Sequence, residues 1–532
     1  MAVHALPEKF PDQVYLGLSD RDPAWADLYS VQISTGRRVL MRKNDFRVVQ
    51  WRFDRAGVLR LARRFLENGD VELVRVNEVG YTPLYRCSVF DTCWPTQFDP
   101  DGKRIYVGSN RGSDIMRLIT LDLDSGREEV VASDPEGRLD LENTIFSQRT
   151  GARIASVFGG GDEARYVWED PAAEADFAWL RRKLPNRVLK FKATANDAMW
   201  LVAAQSDVEP GETYLFNRSS NALTLQYRLF ESLPRSALAH TTTIRYASSD
   251  GLEISAYLTL PPGVPSKSLP LLLMPHDGPW LRDYWGYSPF AQFFANRGFA
   301  VLQPNFRGST GYGKKFLNAG NRQWGERMQD DITWGLKHLV KDGTADPKRV
   351  VICGVSYGGY AALAGAAFTP DLYAAAVEMA GPSNLIAVME SLTAFSPPAR
   401  PMFHERIGDP TTERGRAQLE RQSPLNAVAH IKAPVMIIHG ANDPIVKQSE
   451  ADDFVAALRQ RDLPVTYLLA KDEMHTQVHA TGFGHAWAHT INNLAVFAAI
   501  EKFFGETVGT QYQSEMDAEV ARRLKELTVP SR

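Results

Sequence analysis

Only three cysteines stand among the 532 residues, at positions 87, 93 and 353. That excludes a disulfide framework. Cys87 and Cys93 could pair, but two separate buried or half-buried thiols are expected. No run approaches the eighteen or so apolar residues that a bilayer-spanning helix needs. The most apolar stretch, "YAALAGAAFTPDLYAAAVEMAGP", is interrupted by Pro370 and Asp371. The N-terminus lacks a basic segment followed by an apolar one, so a secretory signal is not expected. There is no basic block and the formal net charge is −3, which argues against a nucleic-acid partner. A cytoplasmic protein with no membrane partner is the default expectation.

What is present is an ordinary globular composition, 44% hydrophobic and 23% charged, in a chain long enough for two or three domains. Two halves differ in rhythm. Residues 1–235 read as short strands separated by Gly, Asp, Asn and Ser, for example "QVYLGLSD", "RIYVGSN" and "MRLITLDL". The turns recur. "FDRAG" ends at Gly57, "FDPDG" at Gly102 and "FSQRTG" at Gly151, in steps of 45 and 49. "STGR" around Gly36 returns as "DSGR" around Gly126, and "SSNA" around Asn221 follows about two steps later. Four-strand units at this period predict an all-β, propeller-like domain of about five blades, an incomplete ring. An irregular β-sandwich is the alternative.

From residue 236 to 506 buried strands alternate with amphipathic helices, which predicts an α/β domain with a mostly parallel sheet. Its apolar runs "LPLLLMPHDGP", "FAVLQPNFRGSTGYG", "RVVICGVSYGG", "APVMIIHGAND" and "LPVTYLLAKDE" end in Gly, Asp, Asn or His. Ligands bind at the carboxyl ends of such strands. The tail, 507–532, contains "SEMDAEVARRLKELT", an amphipathic helix that could pack on its own domain or on another subunit.

"VVICGVSYGGYAALAG" places Ser356 in a G-x-S-x-G between an apolar strand and an Ala-rich helix. This is the setting of a nucleophile elbow, where a strained turn exposes the serine at a helix N-terminus. Such a serine needs a base, and the base needs an orienting acid. Asp443, one short loop beyond "PVMIIHG", stands where the acid belongs; capping the helix that starts near Lys447 is the alternative role.

The segment 240–505 resembles the peptidase domain of the prolyl oligopeptidase family of serine hydrolases, most closely the bacterial acylaminoacyl-peptidase-like members. The residues carrying the resemblance are "HDGPWLR" (276–282), "NFRGSTGYGKKF" (305–316), "GVSYGGYAAL" (354–363), "GPSNL" (381–385), "SPLNAV" (423–428) and "HGANDPIV" (439–446). The resemblance implies an α/β hydrolase fold behind a β-propeller. It implies Ser356 as nucleophile, Asp443 as orienting acid, and Tyr357 N–H and Gly278 as oxyanion donors. The acylaminoacyl type has H-G-G-P where this chain has His276-Asp277-Gly278-Pro279. The dipeptidyl branch uses a tyrosine at the position of His276. The pair of glutamates with which that branch holds a free amino terminus has no counterpart that can be placed in the β-rich half. Ser383, Ile386 and Met389 fall where the family forms its substrate pocket; core packing is their other reading.

The base must come from "DEMHTQVHATGFGHAWAHT", residues 472–490, which holds four of the eleven histidines. Two alignments to the family are available. "DEMH" selects His475, directly after the last strand. "GHAWAHTINN" selects His485 and keeps the spacing to the final helix, with 474–483 as an insertion. The longer match makes His485 the expected base, and His479 and His489 loop or surface residues. His475/His479 and His485/His489 are each four apart, as zinc ligands on a helix are. Thr476, Thr481, Gly482 and Gly484 disfavour that helix, and there is no H-E-x-x-H. No metal or cofactor is therefore expected.

The function expected is cleavage of peptide or amide bonds in short peptides, acylaminoacyl- or aminopeptidase-like, through an acyl-enzyme on Ser356. A carboxylesterase or amidase on small esters would use the same groups. A propeller binding module beside a dead hydrolase domain is the third reading. Homo-oligomerisation is left open.

Overall fold

The computed structural model describes residues 2–530 apart from 8, 161–163, 476 and 479–484; at 477, 478, 485 and 486 it describes backbone alone. Five antiparallel sheets follow one another among the described residues of the first half, within 2–42, 48–87, 93–132, 141–168 and 188–228. The fourth has three strands and the others four, and in each the strands pair in chain order. The repeated turn residues fall at equivalent places. Gly57, Gly102 and Gly151 close the turn between first and second strands, at φ of 78°, 70° and 76°. Gly36, Gly126 and Asn221 close the turn between third and fourth strands, at 70°, 69° and 52°. Both turns need a left-handed residue, which is why glycine or asparagine recurs there.

Two features of this half depart from expectation. Cys87 and Cys93, expected as separate thiols, are joined as a disulfide with Cα atoms 6.4 Å apart. They end one sheet and begin the next. The second departure is a helix, Pro171–Lys183, in a half that reads as strands. Asp170 caps it by accepting the N–H groups of Ala172 and Ala173, and Pro171 occupies its first turn. The helix follows the three-stranded sheet and buries Ala173, Phe177 and Leu180. The Phe177 ring lies 4.6 Å from that of Tyr166, 5.2 Å from Trp168 and 5.8 Å from Phe191, so it joins the fourth sheet to the fifth.

The second half is built on an eight-stranded sheet. Its spatial order is Thr241–Ala247, Glu253–Thr259, Ala300–Asn305, Leu269–Leu273, Ala345–Val355, Ala375–Met379, Val435–Gly440, Val465–Ala470. The first two pairings are antiparallel and the rest parallel. Ala375–Met379 is hidden in the sequence inside the Ala-rich run. Separate apolar clusters cover the two faces, one around Tyr360, Ile352 and Phe454, the other around Phe294, Ile500 and Phe504. The helix Thr490–Val508 runs past residue 506, and the last helix, Ala518–Leu527, packs Val520, Leu524 and Leu527 on the second cluster. The tail thus lies on its own domain.

The β-rich half is bonded to loops at the carboxyl edge of this sheet. Asp140 accepts the N–H of Gly313 (3.0 Å), Lys314 Nζ reaches Asp91 (2.7 Å) and the Asn110 carbonyl (3.0 Å), and Tyr284 Oη donates to Glu142 (3.0 Å). The loop carrying Arg307 is anchored from below. The guanidinium is bidentate to Asp331 (2.9 and 2.7 Å) and to Asp250 (2.8 and 2.9 Å). The Asp331 side chain is fully buried, so removing one partner would strand a charge.

One acid in the sheet itself is wholly buried. Glu378 accepts the N–H of Gly381, and burial, with Asp443 and Glu450 nearby, pushes its carboxyl up to about 8. The folded chain holds a proton there that the unfolded chain releases at about 4.5. The associated stability is whole below that pH and is lost as pH rises to about 8. Glu378→Gln should flatten this loss: its Tm should exceed that of wild type at pH 8 and approach it near pH 4. Phe177→Ala should cost the β-rich half about 3–5 kcal/mol, read as an earlier urea transition of that half.

Candidate active site

Ser356 follows strand Ala345–Val355 and precedes helix Tyr357–Phe368. Its backbone stands at φ 53°, ψ −117°, a conformation that costs an L-residue on the order of 1–3 kcal/mol. Three glycines make the turn feasible. A Cβ on Gly354 would meet the Gly358 carbonyl carbon at 2.3 Å, one on Gly358 the Pro275 oxygen at 2.2 Å, and one on Gly359 the Gly381 Cα at 3.0 Å. The Ser356 N–H donates to the Met379 carbonyl of the neighbouring strand (2.8 Å).

Asp443 follows strand Val435–Gly440. Its Oδ1 accepts the N–H groups of Ile445 (2.8 Å) and Val446 (2.9 Å), which fixes the carboxylate in a tight turn. The expected alternative, a cap on the helix Gln448–Arg459, is not its role: Lys447 precedes that helix and makes no side-chain cap. The other oxygen, Oδ2, lies 2.5 Å from Nδ1 of His475. His475 Nε2 lies 3.2 Å from Ser356 Oγ. The Asp443 side chain is fully buried and that of His475 is 12% exposed, so of the two only the imidazole faces an opening. His439 backs the acid. Its ring is buried, its Nε2–H donates to the Val446 carbonyl (2.9 Å), and burial lowers its pKa, which keeps it neutral.

The ring between Ser356 and Asp443 is therefore that of His475, not of the expected His485. His475 comes five residues after Ala470 ends the strand beside Val435–Gly440, within reach of Asp443. His485 lies ten residues further, in a two-residue strand whose backbone pairs with 477–478. Its side chain and residue 479 lie outside the described set. The extra residues thus follow the ring that meets Ser356 instead of preceding it. His489 is half-exposed and its Nδ1 lies 3.0 Å from Glu473. Among the described residues no cluster of His, Cys, Asp and Glu has the arrangement to hold a metal ion.

Tyr357 opens its helix, so its N–H is among those a helix leaves unused, beside Ser356. Its ring is buried against Phe306, Trp324 and Tyr360. Gly278 has φ 117°, and a Cβ there would meet the Trp280 nitrogen at 2.8 Å, so the loop requires glycine. His276 holds that loop. Nδ1–H donates to the Asp277 carbonyl (2.7 Å), Nε2 pairs with the Ser309 hydroxyl (2.7 Å), and the ring stacks on Phe306 at 4.2 Å. Burial pushes His276 down to about 4, leaving one ring proton at neutral pH.

The three expected pocket residues separate. Ser383 and Met389 are each 1% exposed and turned into the protein, while Ile386 is half-buried. Ser383 serves the loop instead: its N–H and that of Asn384 donate to the buried Glu450 carboxylate (2.9 and 2.8 Å). Glu450 lies 67 residues beyond Ser383, so only the folded chain reveals the pair. A crevice of about 660 Å³ bordered by Arg322, Glu326, His404 and Arg421 includes none of the triad-like residues.

Comparison with known proteins identifies the family of the chain. A model described as "Prolyl oligopeptidase family" matches residues 285–510. Dipeptidyl aminopeptidase BIII of Pseudoxanthomonas mexicana is 36% identical over 518 residues, covering 95% of this chain and 73% of that protein. The acylamino-acid-releasing enzyme of Mus musculus is 26% identical over 263 residues, 46% of this chain and 34% of the enzyme. A solved structure titled as a Mycobacterium tuberculosis puromycin-hydrolyzing peptidase superposes with a TM-score of 0.75 at 20% identity, covering 94% of this chain and 78% of that one. At that identity the superposition speaks for the fold: an α/β hydrolase domain behind an N-terminal β-rich domain. The length and identity of the first match settle the family. This chain belongs to the prolyl oligopeptidase family and is a serine peptidase.

Proposed function

We propose that Ser356, His475 and Asp443 form a catalytic triad that cleaves peptide bonds near the amino terminus of short peptides. The observation that carries this is the single imidazole bridging a buried carboxylate and the elbow serine. His475 Nε2 takes the Ser356 proton as Oγ attacks the scissile carbonyl. Asp443 holds the ring and stabilises the imidazolium. The N–H groups of Tyr357 and of the loop at Gly278 receive the developing oxyanion. The imidazolium then protonates the leaving amine, and water, activated by the same ring, releases the acyl group from Ser356. His475 thus takes the role that the sequence pattern assigns to His485.

An aminopeptidase-like specificity is favoured because the match to the dipeptidyl aminopeptidase spans 95% of the chain and so includes the β-rich half. We read the five sheets, residues 1–235, as propeller-like blades capping the catalytic edge, with 236–506 as the hydrolase domain and 507–532 as its packed tail. Asp91, Asp140 and Glu142 fasten that cap. A cap over the carboxyl edge favours short, flexible substrates. Ile386 is the pocket residue retained in this reading, with Ser383 and Met389 supporting it from behind. Esterase activity on small esters would use the same triad.

Ser356→Ala and His475→Ala should each lower kcat by about 10⁴–10⁶, whereas His485→Ala should change it less than tenfold. Turnover of aminoacyl-, dipeptidyl- and acylaminoacyl-p-nitroanilides, with fluorophosphonate labelling of Ser356, checks this. An inactive His485→Ala beside an active His475→Ala would refute the assignment. Rapid ester hydrolysis with no cleavage of any anilide would favour the esterase.

A further inference from the structure

Two residues before His475, the polar side chain of Glu473 is nearly solvent-free at 2% exposure. Its surroundings explain why the chain keeps it. Oε2 accepts the Ala488 N–H (3.0 Å), and Oε1 accepts the His489 N–H (2.9 Å) and the Asn492 side-chain amide (2.8 Å), with His489 Nδ1 at 3.0 Å. These donors surround the start of the helix Thr490–Val508, whose N-cap residue, His489, makes no side-chain cap of its own. A carboxylate at a helix N-terminus satisfies unused N–H groups and complements the positive end of the helix dipole. The backbone of Glu473 faces the other way: its carbonyl accepts the N–H of Asn442, the neighbour of Asp443 (2.9 Å). A Cβ on Gly440 would meet the Met474 oxygen at 2.3 Å, so the acid and base loops are packed without slack.

The grip continues outward. Asn492 Oδ1 accepts Arg523 Nε (2.6 Å), and Arg523 Nη2 reaches both oxygens of Asp472 (2.6 Å each). Arg523 is 19% exposed and belongs to the helix Ala518–Leu527. A chain of polar contacts thus runs from that helix through Arg523, Asn492 and Glu473 to the peptide two residues from His475.

We propose that Glu473, latched by Arg523, is a positioning residue that fixes where the His475 imidazole stands between Asp443 and Ser356. This rests on the reading of His475 as the base. The Glu473 carboxyl is buried and bonded to the chain itself, so its loss should act on the chemical step. A base displaced by about 1 Å costs on the order of 100-fold in rate. In Glu473→Gln one oxygen becomes an amino group facing donors, which breaks the clamp without removing volume.

The test measures kcat, KM, fluorophosphonate labelling rate and Tm for Glu473→Gln, Arg523→Ala, Arg523→Lys and His475→Ala, together with the double variant Arg523→Ala/His475→Ala. The expected result is a fall in kcat and labelling of about 10- to 100-fold for Glu473→Gln. Arg523→Ala should fall less, Arg523→Lys should recover part of that fall, and KM should move less than twofold in all three. In the His475→Ala background Arg523→Ala should have no further effect on kcat, because the group it positions is gone. If Glu473→Gln does not fold, the surface-side Arg523 variants decide alone. Arg523→Ala with wild-type kcat, or with KM and kcat altered in proportion to lost Tm, would overturn the clamp while leaving the base intact. An active His475→Ala would overturn both.

Discussion

The catalytic edge of this protein depends on one steric constraint: three glycines, 354, 358 and 359, must lie against other backbone with no room for a side chain. The Pro275 carbonyl occupies the space of a Gly358 Cβ, and Gly381 that of a Gly359 Cβ. This contact joins the nucleophile turn to the loop of His276 and Gly278 and to the loop of Ser383. It also holds Ser356 at a positive φ that isolated chains avoid. The strain is retained because packing over-determines it.

Around that core, buried acids organise the loops by accepting backbone N–H groups. Glu378 holds Gly381, Glu450 holds Ser383 and Asn384, Asp443 holds Ile445 and Val446, and Asp331 holds Arg307. Loops at the end of a parallel sheet cannot satisfy their N–H groups from a ladder, and burial makes an unpaired one costly. A carboxylate accepts several such bonds at once and fixes a loop at more than one point.

The β-rich half meets this edge through Asp91, Asp140 and Glu142, against Lys314, Gly313 and Tyr284. Gly313 is favoured there because its φ of 86° is left-handed. The motif "NFRGSTGYGKKF" therefore does two tasks. Arg307 roots it in the hydrolase domain, and Gly313 and Lys314 present it to the neighbouring half.

Local chemistry made much of this legible in the sequence. The elbow is readable because its glycines, strand and helix are consecutive. Asp443 is readable because it follows an apolar strand, and the β-rich half because φ > 0 turns demand Gly or Asn at a fixed interval. The helix Pro171–Lys183 was masked by its strand-rich context, although Asp170-Pro171 is a start signal. The Cys87–Cys93 bond depends on strand ends that sequence does not place. The base illustrates the division most directly. Sequence alone narrowed the candidate base to the histidines of 472–490, where His475 and His485 fit similar patterns. Only the tertiary structure shows which ring lies between Asp443 and Ser356, because that depends on which one reaches a carboxylate at the end of the adjacent strand. For the same reason Ser383, near the site in the family pattern, became an anchor for Glu450: its neighbour is 67 residues away along the chain and in hydrogen-bond contact in space.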